Sequence, residues 1–305
     1  MPKSEVIALF GPTAVGKTGV AIELARLLRA HGEQPVAVSA DALQVYSGLE
    51  ILTGVAGEQQ QRLLEHRLVS FLPVDARFSV GQYAELAHSE IDTLLGAGRR
   101  PIVVGGTGLY LRAALADLAL RPPPAEGVRE RWTAELLNHG PENLHRVLYR
   151  RAPWAAKDIA PTDSHRIVRA LELLETGELE PPRGGSELWT RTTRRSTLLV
   201  GLTVDRGILY EQIDGRVQEM LDAGVVEEVR RAHAAGASET ARKALGFDEL
   251  LTGDIEGMKR RTRNYARRQL TWMRKLAGAI QIDITGLAHE QVAQEILGHW
   301  MGSTR

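Results

Sequence analysis

Residues 6–18 read VIALFGPTAVGKT, an apolar run that ends at a glycine and passes straight into the pattern G-x-x-x-x-G-K-S/T. Val6–Phe10 reads as a short buried strand, and from Thr18 the apolar positions Val20, Leu24 and Leu27 or Leu28 recur at helical spacing. Strand, glycine loop, helix is the context in which this pattern is a phosphate loop. Gly11 and Gly16 allow a turn tight enough to point consecutive N–H groups inward, with Pro12, Thr13, Ala14 and Val15 between them. The following helix N-terminus adds partial positive charge to the same concavity. Lys17 can reach between two phosphates, and the Thr18 hydroxyl suits a Mg2+ ion that the phosphates share.

Working outward, further strands are expected at Pro35–Ser39, Pro101–Val104 and Thr197–Leu202, with a helix from about Ser79 to Leu95 ended by Gly96 and Gly98. Strands alternating with helices imply a parallel sheet covered on both faces. After Leu111 the character changes. Arg121–Pro124 reads as a hinge, residues 127–177 show helical periodicity only, and Glu180–Ser186 reads as a second boundary. The expectation is an α/β, P-loop NTPase-like core from 1–120 and 196–305, interrupted by a mainly helical insertion at 121–195. Beyond Ile208 the chain reads as helical, broken by Gly224, Gly236 and Gly253, with a last apolar run at Ile280–Ile284.

The 305 residues carry 38 Lys+Arg against 38 Asp+Glu, so a wholly basic nucleic-acid-binding surface is excluded while a local one is not. The absence of cysteine excludes disulfides, thiolate metal centres and a cysteine nucleophile. No stretch approaches the ~18 apolar residues of a membrane helix, and the N-terminal apolar run is too short for an export signal; a cytoplasmic protein with no membrane partner is expected.

A phosphate loop does not say what its phosphates are attached to. The strand at Pro101–Val104 ends in Gly105-Gly106 with no carboxylate, whereas Asp41 follows the Pro35–Ser39 strand. Asp41 is open to three roles, metal ligand, general base or helix N-cap. Thr107, in the turn GGTGLY, is placed to donate to a ligand at the carboxyl edge of the sheet, or to serve as a turn hydroxyl. Charge gathers at 259–275, KRRTRNYARRQLTWMRK, with eight basic and no acidic residues. Helical spacing puts Tyr265, Gln269, Trp272 and Met273 on one side and Arg260, Arg263, Arg267 and Arg274 at or near it, so some arginines are expected to face inward, against the plainer reading of a solvated face. Arg166 and Arg169 point together above Ile167 and Leu171, with Arg183, Arg191, Arg194 and Arg195 following, and are expected to contact phosphate.

Taken together, GPTAVGKT at 11–18, SADALQVYSGLEI at 39–51, EHRL at 65–68, FSVGQYAELA at 78–87, VGGTGLYLRA at 104–113, DSHRIVRALE at 163–172 and TRNYARRQLTWMR at 262–274 resemble the tRNA dimethylallyltransferase family in order along nearly the whole chain. The resemblance implies an enzyme that moves the dimethylallyl group of dimethylallyl diphosphate to N6 of adenine 37 in the anticodon stem-loop of tRNAs reading codons that begin with U. The phosphate loop, Gly11–Thr18, would then hold the prenyl diphosphate rather than ATP, with Mg2+ on Thr18. Catalysis would fall to Asp41 as general base with Thr107 and Lys17, and tRNA contacts to Asp41, Ala42, Leu43, Gln44, Thr107, Arg129, His165, Arg166, Ile167, Val168 and Arg169. A monomer with no obligate protein partner is expected. The chain departs from the family at Glu50–Val55, where a D-I-G-T-A-K stretch and its lysine are usual, and at Leu43, where an arginine is frequent. Altered contacts there are expected, with activity kept. The rival readings are a transferase for free adenine nucleotides, a small-molecule kinase with Asp41 on magnesium, and a non-catalytic RNA-binding protein.

Overall fold

In the computed structural model, which describes residues 4–121, 127–181, 188 and 190–302, the strand that precedes the phosphate loop lies inside a six-stranded sheet. The strands are β1 (Val6–Phe10), β2 (Pro35–Ser39), β3 (His66–Arg67), β4 (Arg100–Gly105), β5 (Thr197–Thr203) and β6 (Ile280–Asp283), in the order β3-β2-β4-β1-β5-β6. Every neighbouring pair is parallel, and Leu9 of β1 lies opposite Val104 and Val200. β1 and β2 are buried along their whole length, which is why they read as unbroken apolar runs rather than alternating ones. The chain leaves β1 toward β2 but leaves β4 toward β5, so the sheet has its topological switch point between β1 and β4. A crevice opens there at the carboxyl ends of the strands.

Ile7 and Leu9 pack on the helix Lys17–Ala30, whose buried side is Val20, Ala21, Leu24, Ala25 and Leu28; Val292, Ala293, Ile296 and Trp300 of the helix His289–Met301 complete that layer. Ala8 and Phe10 alternate to the other side of the sheet. The helix Val80–Gly96 starts with a capping box: Ser79 Oγ accepts the Gln82 N–H at 3.3 Å, and Gln82 Oε1 accepts the Ser79 N–H at 3.0 Å. A second apolar cluster joins Val45, Tyr46, Leu49 and Leu52 to Val217, Val229, Phe247 and Met258 from the helices beyond β5.

The chain divides into two compact units, Met1–Leu118 with Leu188–Arg305, and Ala119–Glu187. Residues 190–195, expected in the insertion, are part of the sheet unit: the Arg194 N–H donates to the Leu115 carbonyl at 2.8 Å, and Arg194 and Arg195 both pair with Asp92. Pro122–Pro124 of the expected hinge, Pro182–Ser186 of the second boundary and Arg183 lie outside the described residues. The smaller unit contains the helices Val128–His139, Pro141–Arg151, Pro153–Ala156 and Ser164–Glu175, around Leu144, Leu148, Ala156, Ile167 and Leu171. Its described residues include no strand.

Candidate active site

The loop after β1 takes its shape from two residues with positive φ, Ala14 at 67° and Gly16 at 88°. The left-handed conformation is cheap for glycine and uncommon for alanine, and it turns successive N–H groups to one side. Lys17 folds back along the loop and donates from Nζ to the carbonyls of Pro12 at 2.8 Å and Gly11 at 3.0 Å. Burial, reinforced by the charge of Arg216, pulls the Lys17 ammonium down to about 7, with Asp41 acting in the opposite sense.

β4 ends against this loop because its last residues have no side chains. A β-carbon on Gly105 would lie 2.8 Å from that of Ala40, and one on Gly106 would lie 3.1 Å from the Gly11 carbonyl and 3.4 Å from Lys17 Nζ. Thr107 follows, capping no backbone group of the helix Gly108–Leu115 with its side chain. Its hydroxyl lies 3.1 Å from that of Tyr265, whose own titration is pushed up to about 12 by burial and by the charge of Asp41. Gln269 bridges loop and turn: its Oε1 accepts the Thr13 N–H, and its Nε2 donates to the Gly106 carbonyl, each at 2.8 Å.

Asp41 stands just past β2. No helix follows, so the N-cap role is absent; instead Asp41 Oδ1 accepts the Leu43 N–H at 3.0 Å in a tight turn. Gln44 is occupied structurally, accepting from Ser39 Oγ at 2.8 Å and donating to the carbonyls of Gly54 at 3.0 Å and Thr53 at 3.3 Å. From a distant helix, buried Glu228 accepts the N–H groups of Ile51 and Leu52, both at 2.8 Å.

These segments surround one cavity of about 940 Å³. Its polar lining includes Thr13, Lys17, Thr18, Asp41, Thr107 and Arg216, and its apolar lining includes Leu52, Ile213, Val217, Met220 and Met258. Thr13, Ala14, Gly16, Lys17 and Thr18 line it as the motif predicts, and Ala42, Leu43 and Gln44 do so beside Asp41. Three loop positions differ. Gly11 and Pro12 are buried and offer their carbonyls to Lys17, while Val15 packs in the core beside Leu24.

The basic helix, Ile255–Met273, turns inward the side expected, with Gln269 and Met273 buried and Tyr265 and Trp272 half-buried, but its border arginines Arg260, Arg267 and Arg274 do not face inward. Its buried residues include Met258, Thr262, Ala266, Gln269 and Met273, leaving Arg260, Arg267 and Arg274 exposed, and Arg263 pairs with Asp214. The arginines that reach the cavity are Arg261, which also pairs with Glu249, and Arg268, which lies 5.5 Å from the Tyr265 ring centre. Arg216, from the helix Arg206–Asp222, was not singled out by any motif. It crosses the bare α-carbon of Gly54, where a β-carbon would collide with its guanidinium, and burial lowers its titration. Only proximity across the fold reveals it.

In the helical unit, the stretch 165–169 is not a uniform contact strip. Ile167 is fully buried and Val168 nearly so, so neither side chain is available to RNA as expected. Arg129 and Arg169 converge on buried Glu172, at 2.7 and 3.0 Å. His165 and Arg166 are exposed, with Arg166 3.8 Å from Asp163.

The model of the IPP transferase family matches residues 44–276. A tRNA dimethylallyltransferase of Thermobifida fusca is 40% identical over 286 residues, covering 89% of this chain and 88% of that one. Another, of Bacillus subtilis, is 34% identical over 312 residues and 98% of both chains. Among solved structures, the full-length tRNA isopentenylpyrophosphate transferase of Bacillus halodurans superposes with a TM-score of 0.70 at 30% identity, covering 99% of this chain and 97% of that one. With the sheet order, the phosphate loop at its switch point and these relatives in agreement, the chain belongs to the IPP transferase family, the family of the tRNA dimethylallyltransferases.

Proposed function

We propose that this protein transfers the dimethylallyl group of dimethylallyl diphosphate to N6 of adenine 37 in tRNAs reading codons that begin with U. The observation that carries this reading is one cavity shared by a phosphate loop, through Lys17 and Thr18, and by a carboxylate, Asp41, that belongs to a different strand end. The same cavity is also lined by Ile213, Val217 and Met220, apolar side chains suited to the allylic chain of the donor. The exocyclic amine of adenine is a weak nucleophile because its lone pair is shared with the ring. As the N6–C bond forms and the C–O bond to diphosphate breaks, the Asp41 carboxylate takes the N6 proton. Negative charge grows on the departing diphosphate, where Lys17, Arg216 and the loop N–H groups meet it. The base must leave its stack to enter such a cavity, and Thr107 is the hydroxyl placed to receive it.

Among the described residues no cluster of three or more His, Cys, Asp or Glu could hold a metal by itself. That fits Mg2+, which keeps much of its water shell and commonly arrives with phosphates, so the Thr18 hydroxyl is the protein ligand assigned here. When bound, the ion neutralises charge on the leaving diphosphate. Arg166 and His165 are the exposed members of the tRNA-contact set. The test is incubation with tRNA, dimethylallyl diphosphate and Mg2+, followed by nucleoside mass spectrometry. One prenyl unit gained on adenosine 37 is the expected result; unmodified tRNA, or phosphate transfer from ATP instead, would overturn the reading.

A further inference from the structure

Gly19 lies in the first turn of the helix Lys17–Ala30, an interior position at which glycine weakens a helix. Its surroundings give the reason. A β-carbon on Gly19 would lie 2.4 Å from both Cε1 and Nδ1 of His289, and one on Gly16 would lie 2.7 Å from His289 Nε2. The imidazole therefore lies against the bare α-carbons of the phosphate loop's end and the helix's start. His289 also lines the cavity that holds Thr13, Lys17 and Thr18.

Its position is fixed by rigid elements. His289 opens the helix His289–Met301, which packs Val292, Ala293 and Ile296 against Val20 and Leu24; the next residue, Glu290, pairs with Arg26 at 2.6 Å. The side chain is exposed, so filling the core does not account for it. In either protonation state an imidazole has at least one N–H to donate.

We infer that His289 is a further ligand of the donor's diphosphate, giving one hydrogen bond from its ring to a phosphate oxygen beside the loop N–H groups. The inference rests on the proposed diphosphate role of the loop and adds to it a residue from the opposite end of the chain. The contact is made to the bound donor, so its loss weakens donor binding, and any further loss in turnover follows from the charge that grows on the diphosphate during transfer.

The experiment is calorimetric titration of inorganic diphosphate with Mg2+ into the wild type, His289→Ala and His289→Gln, together with steady-state kinetics in dimethylallyl diphosphate and a thermal melt of each. His289→Ala is expected to weaken diphosphate binding and raise the donor KM about three- to tenfold, as for one net hydrogen bond. Its melting midpoint is expected to stay near that of the wild type. His289→Gln, whose amide reaches the Nε2 position, should restore most of the affinity. Equal affinity in the wild type and His289→Ala, or a loss that His289→Gln fails to recover, overturns the inference alone. A wild type that binds no diphosphate overturns it together with the reading of the loop.

Discussion

The side-chain oxygen of Gln269 accepts the backbone N–H of Thr13 at 2.8 Å, so a residue of the basic C-terminal helix holds a loop 256 positions earlier in the chain. With its amide nitrogen on the Gly106 carbonyl, Gln269 sets the spacing between the two turns that flank the switch point. Gln269→Leu removes both bonds and leaves two backbone groups without them in a buried place. A stability loss of roughly 1–3 kcal/mol is expected, with a raised donor KM. Chemical denaturation and donor titration check the two effects separately.

Asp41 lines the cavity and makes one hydrogen bond to its own turn. Asp41→Asn keeps the shape of the side chain and removes the proton acceptor. Single-turnover prenyl transfer is expected to slow by about 10²–10⁴, the range for a general base, with tRNA affinity in a filter assay almost unchanged. Normal turnover by the variant would remove Asp41 from the proton transfer.

Lys17 couples the site to pH. With its folded-state titration lowered from 10.5 to about 7, the ammonium loses its proton as pH rises through neutrality, and donor affinity is expected to decline above pH 7. Binding of a polyanion restores the proton, so calorimetry in two buffers of different ionisation heat should detect proton uptake near pH 7. For folding the sign is reversed. Between about 7 and 10.5 the unfolded chain holds a proton that the folded one has given up, so stability contributed by this residue rises with pH across that window. Lys17→Met should abolish both the uptake and the slope.

Glu172 divides the arginines of the helical unit into two kinds. Burial pushes its carboxyl up, but the guanidinium groups of Arg129 and Arg169 hold it below the usual range. Arg129→Ala is therefore expected to act mainly on stability, lowering the unfolding midpoint of this unit. Arg166→Ala, at an exposed position, should leave the midpoint alone, weaken tRNA binding and reduce the salt slope by about one. The converse pattern in melting and salt-dependent binding would reverse these roles.

β1 and β2 are legible to the residue because each is a short apolar run with a clear end, Gly11 after β1 and Ser39, shortly before Asp41, at the end of β2. β3 is not: His66 and Arg67 carry no apolar signal, and their strand exists only through pairing with Ala37 and Val38. Lys17, Thr18, Asp41 and Thr107 are legible because each sits at a strand end or in a turn of recognisable composition. Arg216 and His289 belong to ordinary helices, and what marks them is the room left by Gly54 and by Gly16 with Gly19. Such pairings are long-range and leave no local pattern. In the basic helix the side of Gln269 and Met273 is legible from its spacing, but which arginines face inward is not: the small residues Thr262 and Ala266 complete the buried side, and Arg260, Arg267 and Arg274 stay exposed.

The strap from Asp41 to Gly54 is held through its main chain as well as through its buried side chains: Gln44 holds the carbonyls of Thr53 and Gly54, and Glu228 holds the N–H groups of Ile51 and Leu52. Its course is thus set by one outside side chain, Glu228, together with side chains of its own, among them Gln44 and the buried Val45, Tyr46 and Leu49. A chain built this way places Leu52 among those buried side chains and still delivers Asp41 from the end of β2 to the cavity.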